Sequence, residues 1–137
     1  MRRSCWTREN GWTPAFAHRV IEEYRRFAFL AAAAGHPVSP SDVVDQAWHL
    51  HLLYTRSYWD EFCGKVLRTL LHHEPSTGGQ AERRKFDDWH ARTLQSYRRF
   101  FAEDAPADVW PPPDVKAKAR DEFRRIDLAR NWVVSKR

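Results

Sequence analysis

Apolar residues in the first third of the chain recur every three or four positions, which is the spacing of one face of an α-helix. Thr13 can cap this helix, and Pro14 suits its first position. Gly35, followed by His36-Pro37, indicates where the helix ends. The pattern therefore predicts a helix from Pro14 to about Ala34, with an apolar stripe formed by Phe16, Val20, Tyr24, Phe27 and Ala31.

A second helix is predicted to begin at Ser39, which we interpret as its N-cap, with Asp42 completing a capping box. The helix either runs on to about Leu71 or breaks near Thr55 or at Gly64. One long helix would be central to a bundle, because it would present a broad apolar face. That face has two adjacent stripes, the first formed by Val44, Ala47, His51, Thr55, Tyr58 and Phe62, and the second by Trp48, Leu52, Trp59, Val66 and Leu70.

Two further helices are predicted after a loop that contains Pro75 and Gly78-Gly79. The third runs from about Gln80 to Ala102, and the fourth from about Asp114 to Arg130. A proline-rich, extended connector (residues 106–113) joins them, and its Trp110 is expected to anchor it to the core. We therefore predict an all-α, single-domain bundle of about four main helices, with residues 1–12 irregular and 131–137 forming a tail.

Composition agrees with one helical domain and excludes several classes of protein. The 137 residues are 42% hydrophobic and 30% charged, as in globular proteins. Five glycines are too few for a glycine-rich phosphate loop, and no such motif occurs. No apolar run is long enough to span a membrane, and no signal peptide is recognisable. Cys5 and Cys63 form no C-x-x-C pair, which is typical of a reducing compartment, so we expect a cytoplasmic protein without membrane contact.

The excess of positive charge lies near the C-terminus. The chain has 23 Lys and Arg against 18 Asp and Glu, and residues 114–137 hold eight of the former and four of the latter. A basic segment can bind phosphate backbones, but interleaved acids are also typical of a solvated helix face. The candidate nucleic-acid contacts are Arg124, Arg125, Lys116 and Lys118.

A possible metal site lies on the second predicted helix. Asp45 and His49 are four residues apart and therefore share a helix face. His49 and His51 are two residues apart, so their imidazoles should point about 200° apart and not share one ion. A third ligand must come from elsewhere, with His73 the first candidate and His72 or Cys63 behind it. His51 is retained as a tentative ligand despite this angle. A transition metal such as Zn or Fe is the cofactor that this pattern implies.

The same residues also fit a purely structural polar network. His51 falls on the apolar stripe between Ala47 and Tyr58, where a neutral imidazole can donate one hydrogen bond to a buried partner. We expect Cys63 to be a small buried apolar side chain, as a free cysteine on a helix most often is. In this interpretation the network, which could also bind a ligand, comprises Asp45, Trp48, His49, His51, Thr55, Tyr58, Cys63 and His73. No catalytic residue can be assigned from spacing alone, since catalytic triads are recognised in space.

The Trp48-His49-x-His51 motif and its surroundings resemble the glycine-rich domain-containing protein-like family of plants and bacteria. The resemblance runs from about Phe16 to Pro113. The residues that carry it are Val44, Asp45, Trp48, His49, His51, Thr55, Tyr58, Phe62, Cys63, His73, Pro75, Trp89, Tyr97, Phe100, Trp110, Pro111 and Pro112. It implies an isolated helical motif domain without the glycine-rich region, with Asp45, His49, His51 and His73 as signature polar residues. Plant relatives are linked to development, stress responses and RNA.

Three functions follow from these observations. The first is a small helical binding or regulatory domain with a protein partner, in which the Asp/His/Tyr network is structural. The second is a metal-binding protein or metalloenzyme that uses His49, Asp45 and His73. The third is a nucleic-acid-binding module that uses the basic C-terminal helix. Convergence of His49, His51 and His73 in space would favour the second, because a structural network rarely needs three histidines at one point.

Overall fold

The described part of the chain folds as one small all-α domain, as the periodicity predicted. The structure is a computed structural model, and it describes residues 10–74 and 76–112. Within this part the helices are α1 (Pro14–Ala33), α2 (Asp42–Leu52), a π-helix (Arg56–Leu67) and α3 (Gln80–Phe101). The fourth predicted helix and the C-terminal tail lie outside the described residues. No described helix combines the length and hydropathy that crossing a bilayer requires.

The bounds of α1 and α3 agree with those predicted from the residues at the ends of the two helices. Thr13 caps α1, its hydroxyl accepting a hydrogen bond from the amide of Phe16 at 3.3 Å. Gly35 follows the helix with φ of 73°, a left-handed conformation that glycine adopts without strain. α3 ends at Phe101, and Ala102 adopts the left-handed conformation that terminates it.

The start of α2 differs from the prediction. Ser41, not Ser39, is the N-cap, and its hydroxyl accepts a hydrogen bond from the amide of Val44 at 3.1 Å. The amide of Ser39 instead donates to the hydroxyl of Thr93 on α3, at 3.0 Å. The predicted capping box was wrong because this tertiary contact holds Ser39 outside the helix.

The second predicted helix breaks at Leu53-Tyr54, near Thr55, which is one of the alternatives that the pattern left open. The residues after the break form a π-helix, which is rare as a long element. Its buried residues are Tyr58 and Cys63, which are five positions apart and so lie about one turn of a π-helix from each other. Val66 and Leu70 were placed on the second apolar stripe, but they are 72% and 67% exposed, so this part of the stripe was wrong.

The core lies where α1 packs against the other helices. It contains Ala17, Val20, Tyr24 and Phe27 of α1, Val44, Ala47 and Trp48 of α2, Tyr58 and Cys63 of the π-helix, and Val109 and Trp110 of the connector. Trp110 is buried as expected, although the connector turns at residues 107–109. Its indole N–H donates to the buried carboxylate of Glu23 at 2.9 Å, and the hydroxyl of Tyr97 donates to the same carboxylate at 3.1 Å. These bonds tie the connector and α3 to α1.

Candidate functional site

One face of α2 carries Asp45 and His49, one helical turn apart. The Nδ1 atom of His49 lies 3.0 Å from the backbone carbonyl oxygen of Asp45 and 3.1 Å from its carboxylate. The carbonyl oxygen and an ionised carboxylate can accept hydrogen bonds but cannot donate them, so Nδ1 carries the proton. The Nε2 atom of His49 is therefore left with its lone pair available.

His73 reaches the same carboxylate from the loop that follows the π-helix. Its Nε2 atom lies 2.8 Å from Oδ1 of Asp45, and its ring centroid lies 4.2 Å from that of His49. One ligand atom from each of Asp45, His49 and His73 can be chosen so that all lie within 4.8 Å of one another. We call these three residues the Asp45 cluster.

The loop that carries His73 is held in place by Trp48 and Tyr58. The indole of Trp48 packs against the His73 ring, with centroids 4.4 Å apart, and its N–H donates to the Tyr58 hydroxyl at 2.8 Å. That hydroxyl in turn donates to the backbone carbonyl of Leu71, two residues before His73. Burial raises the pKa of Tyr58 to about 12, so the hydroxyl keeps its proton for this bond. Trp48 and Tyr58 thus position His73 without being ligands themselves.

The Asp45 cluster is open to solvent on one side. The side chain of His73 is 15% exposed, that of Asp45 is 34% exposed and that of His49 is 49% exposed. His73 therefore closes the inner side of the cluster, whereas His49 lines its outer rim. Such a site is accessible to water, a metal ion or a small molecule.

His51 points away from the Asp45 cluster and into the core, as the helical spacing predicted for His49 and His51. Its Nδ1 atom lies 3.0 Å from the hydroxyl of Tyr24, and its Nε2 atom lies 3.1 Å from the hydroxyl of Ser57. Burial lowers the pKa of His51 to about 4, so the imidazole is neutral at physiological pH. Both ring nitrogens therefore have partners that are not part of the Asp45 cluster.

The remaining candidate residues are spread around these two histidines. Thr55 is exposed and makes no capping hydrogen bond to the π-helix. Cys63 is a free, buried thiol near Tyr58, and His72 packs its ring against Trp59. The candidate nucleic-acid contacts Arg124, Arg125, Lys116 and Lys118 lie outside the described residues. Metal binding by the Asp45 cluster stays a prediction.

The sequence patterns did not reveal the two partners of His51. Tyr24 was assigned to the apolar stripe of α1, and it does pack in the core, but its hydroxyl also meets His51. Ser57 lies six residues after His51 and was not singled out, because residues at that spacing do not share a face of a continuous α-helix. A tyrosine within an apolar stripe was the available signal, since buried tyrosine hydroxyls usually have a hydrogen-bond partner.

Comparison with known families assigns the chain more clearly than its motifs do. The model of the UCP032817-like family matches residues 6–102, which include all four described helices. The chain belongs to the UCP032817-like family. Both candidate histidine environments of this UCP032817-like protein lie within the matched region. No curated protein and no solved structure is similar enough to match the chain.

This membership corrects the resemblance to the glycine-rich domain-containing protein-like family, which was wrong. The matching model is that of the UCP032817-like family, and nothing in the comparisons supports a glycine-rich domain family. The motif that carried the resemblance is explained by local packing. Trp48 and His51 are core positions of α2, and His49 lies on its exposed face, so this short string alone does not identify a family.

Proposed function

We propose that this protein binds a divalent transition metal through Asp45, His49 and His73. The observation that carries the proposal is the convergence of two imidazoles and one carboxylate, whose ligand atoms lie within 4.8 Å of one another. Two histidines and one carboxylate are a donor set that catalytic zinc sites and non-haem iron(II) sites both use. Zinc is our first choice, because it binds such sites more tightly than iron(II) in the general order of divalent metals.

The spacing of the ligands supports this proposal. Zinc bonds to nitrogen and oxygen of roughly 2.0–2.1 Å put neighbouring ligands of a tetrahedral site about 3.3 Å apart. Two carboxylate–imidazole separations in the cluster are 2.8 Å and 3.1 Å. The His49 atom at this spacing is Nδ1, which becomes a ligand atom in the tautomer that carries its proton on Nε2.

Metal binding at this site would replace the hydrogen bonds that now join its ligand atoms. The bond between Nε2 of His73 and Asp45 gives way to the ion, and the proton of the neutral imidazole moves to Nδ1. Nδ1 of His49 likewise becomes a ligand atom when its proton moves to Nε2, and its bond to the carbonyl of Asp45 is then lost. The apo cluster therefore holds its ligand atoms together through hydrogen bonds that an ion replaces.

Three protein ligands leave at least one coordination position for water or a small molecule. The exposed rim of the cluster at His49 gives access to that position. A bound zinc ion would act there as a Lewis acid and would lower the pKa of a coordinated water. We place this function in the cytoplasm, as the cysteine pattern suggested.

The experiment is metal analysis of the protein after purification without an affinity tag, followed by zinc titration of the apoprotein. We expect close to one zinc per chain, and in the titration a rise in stability of about 2.7 kcal/mol when free zinc is a hundredfold above its Kd. Both effects should be lost in His49→Ala and in His73→Ala. His72→Ala is the matched control, since it removes a neighbouring imidazole from the same loop and should leave both effects intact. A folded, metal-free protein that zinc does not stabilise would contradict the proposal.

A further inference from the structure

A cavity lies on the other side of α2 from the Asp45 cluster, between α1 and the π-helix, and has a volume of about 310 Å³. At its base are Tyr24, His51 and Ser57, which are joined by the two hydrogen bonds of His51. This volume is at the lower end of the range for small-molecule sites. The cavity shares no residue with the Asp45 cluster, so its function is separate from metal binding.

The π-helix is what brings one wall of this cavity together. Ser57, Glu61, Phe62 and Val66 all line the cavity. Ser57 and Val66 are nine residues apart, which would put them about 180° apart on an α-helix of 3.6 residues per turn. With i→i+5 hydrogen bonds and about 4.4 residues per turn, they lie within roughly 20° of each other. Glu61 and Phe62 fall on either side of that direction.

The conformation of this helix is itself a reason to look for function here. π-helical segments are uncommon and are frequent at functional sites. Gly64 allows the unusual backbone, because a Cβ at this position would lie only 3.2 Å from the carbonyl oxygen of Trp59. The wider turn therefore aligns four cavity-lining side chains that a regular helix would distribute around its circumference.

The cavity combines apolar walls with carboxylates from both helices. Ile21, Phe62 and Val66 supply apolar surface, and the ring of Tyr24 lies 5.5 Å from that of Phe62. Glu22 of α1 and Glu61 of the π-helix contribute two carboxylates, against the single guanidinium of Arg25. The charged lining is thus acidic, next to aromatic rings.

Both carboxylates can exchange their present partners for a ligand. Glu22 pairs with Arg25 at 2.9 Å and Glu61 pairs with Lys65 at 2.7 Å, and all four side chains are about half exposed or more. Ion pairs in such positions are weak. Lys65 does not line this cavity, so its pairing with Glu61 does not add a positive charge to the walls.

We propose that this cavity binds a small amine that has an apolar, preferably aromatic, body. The ammonium group would be held by Glu22 and Glu61 beside the partly buried ring of Phe62, since aromatic rings attract cations as well as apolar groups. The body of the ligand would pack against Ile21 and Val66. The hydroxyl of Ser57 offers one further acceptor for an ammonium hydrogen.

Phenethylamine is a suitable probe, because two compounds with the same body differ from it in charge. These are 3-phenylpropionate, which is anionic, and 2-phenylethanol, which is neutral. We expect phenethylamine to cause saturable amide chemical-shift changes at Ser57, Glu61 and Val66, and to bind at least about tenfold more tightly than either compound. Equal or tighter binding of the acid or the alcohol, or no saturable change with the amine, would overturn the proposal.

Variants distinguish amine binding in this cavity from non-specific binding and from binding at the Asp45 cluster. Glu61→Gln should weaken amine binding several-fold, whereas the matched control Asp60→Asn removes the neighbouring carboxylate, which does not line the cavity, and should have no effect. Val66→Trp should block the cavity, and its unchanged circular dichroism would show that the fold is intact. Amine binding should persist in His73→Ala. Loss of binding in Asp60→Asn, or retention in Val66→Trp, would count against this site.

Discussion

His49 and His51 are two residues apart on one helix, yet they have opposite environments. His49 is half exposed on the face that it shares with Asp45, and one of its nitrogens remains available. His51 is 8% exposed and both of its nitrogens have partners. The difference follows from the rotation of about 100° per residue along an α-helix. Residue type therefore says little about function until the helix face is known.

The largest expected difference between the two histidines is in stability. His51→Ala would leave a cavity in the core and remove the partner of the hydroxyls of Tyr24 and Ser57, so it should lower the free energy of unfolding by about 3 kcal/mol. His49→Ala should change it by no more than about 0.5 kcal/mol, because the side chain is exposed. Urea denaturation of apoproteins measures both. Equal effects of the two substitutions would contradict the comparison.

Acid should destabilise the folded protein by protonating His51. Its pKa is lowered to about 4 in the folded state, against about 6.5 when unfolded, so the unfolded chain binds more protons between these values. The stability that the neutral imidazole contributes is fully present above pH 6.5 and is lost as the pH falls toward 4. From pH 7 to pH 5 this loss should be about 2 kcal/mol.

Urea denaturation at several pH values tests this dependence, with His51→Gln as the variant that cannot titrate. The other ionisable groups around His51 are His18, Glu22, Arg25, Glu61, Tyr24, Tyr58 and Cys63. These groups remain in the variant, so the difference in pH dependence between the two proteins reports His51 alone. A His51→Gln protein with the same slope between pH 7 and pH 5 would assign the effect to those groups instead.

The smallest expected effect concerns the positioning of His73. Tyr58→Phe removes the acceptor of the Trp48 indole N–H and the donor to Leu71, and should destabilise the protein by about 1 kcal/mol. It should also weaken zinc binding about tenfold, since groups that orient ligands affect affinity on this scale. Zinc titration by calorimetry measures the second effect. A loss of stability with unchanged zinc affinity would limit Tyr58 to a structural role.

The features that followed from sequence are those that regular α-helices determine. The ends of α1 came from Thr13, Pro14 and Gly35, whose conformational preferences are local. The opposite directions of His49 and His51 came from helical rotation alone. Each of these depends on neighbours within one or two turns, so no tertiary information was needed.

The features that escaped prediction depend on distant contacts or on an unusual backbone. The start of α2 moved because Ser39 bonds to Thr93 on another helix. Val66 was placed on an apolar stripe with an α-helical period. In the π-helix it lies instead at the exposed rim of the cavity between α1 and the π-helix. His73 was the first candidate for a further ligand beside Asp45, but the bond from Tyr58 to Leu71, which lies two residues before His73, was not predicted.

Glu23 sets an order in which the domain can be completed during synthesis. Its buried carboxylate needs the donors of Tyr97 and Trp110, which leave the ribosome 74 and 87 residues later. Until then, within the part of the chain that the structure describes, Arg26 of the same helix is its charged neighbour, 3.8 Å away. Since a buried charge without hydrogen-bond partners is costly, we expect the packing of α1 around Glu23 to be completed only after Trp110 has been synthesised. A nascent chain released before Trp110 would keep this core open and accessible to chaperones.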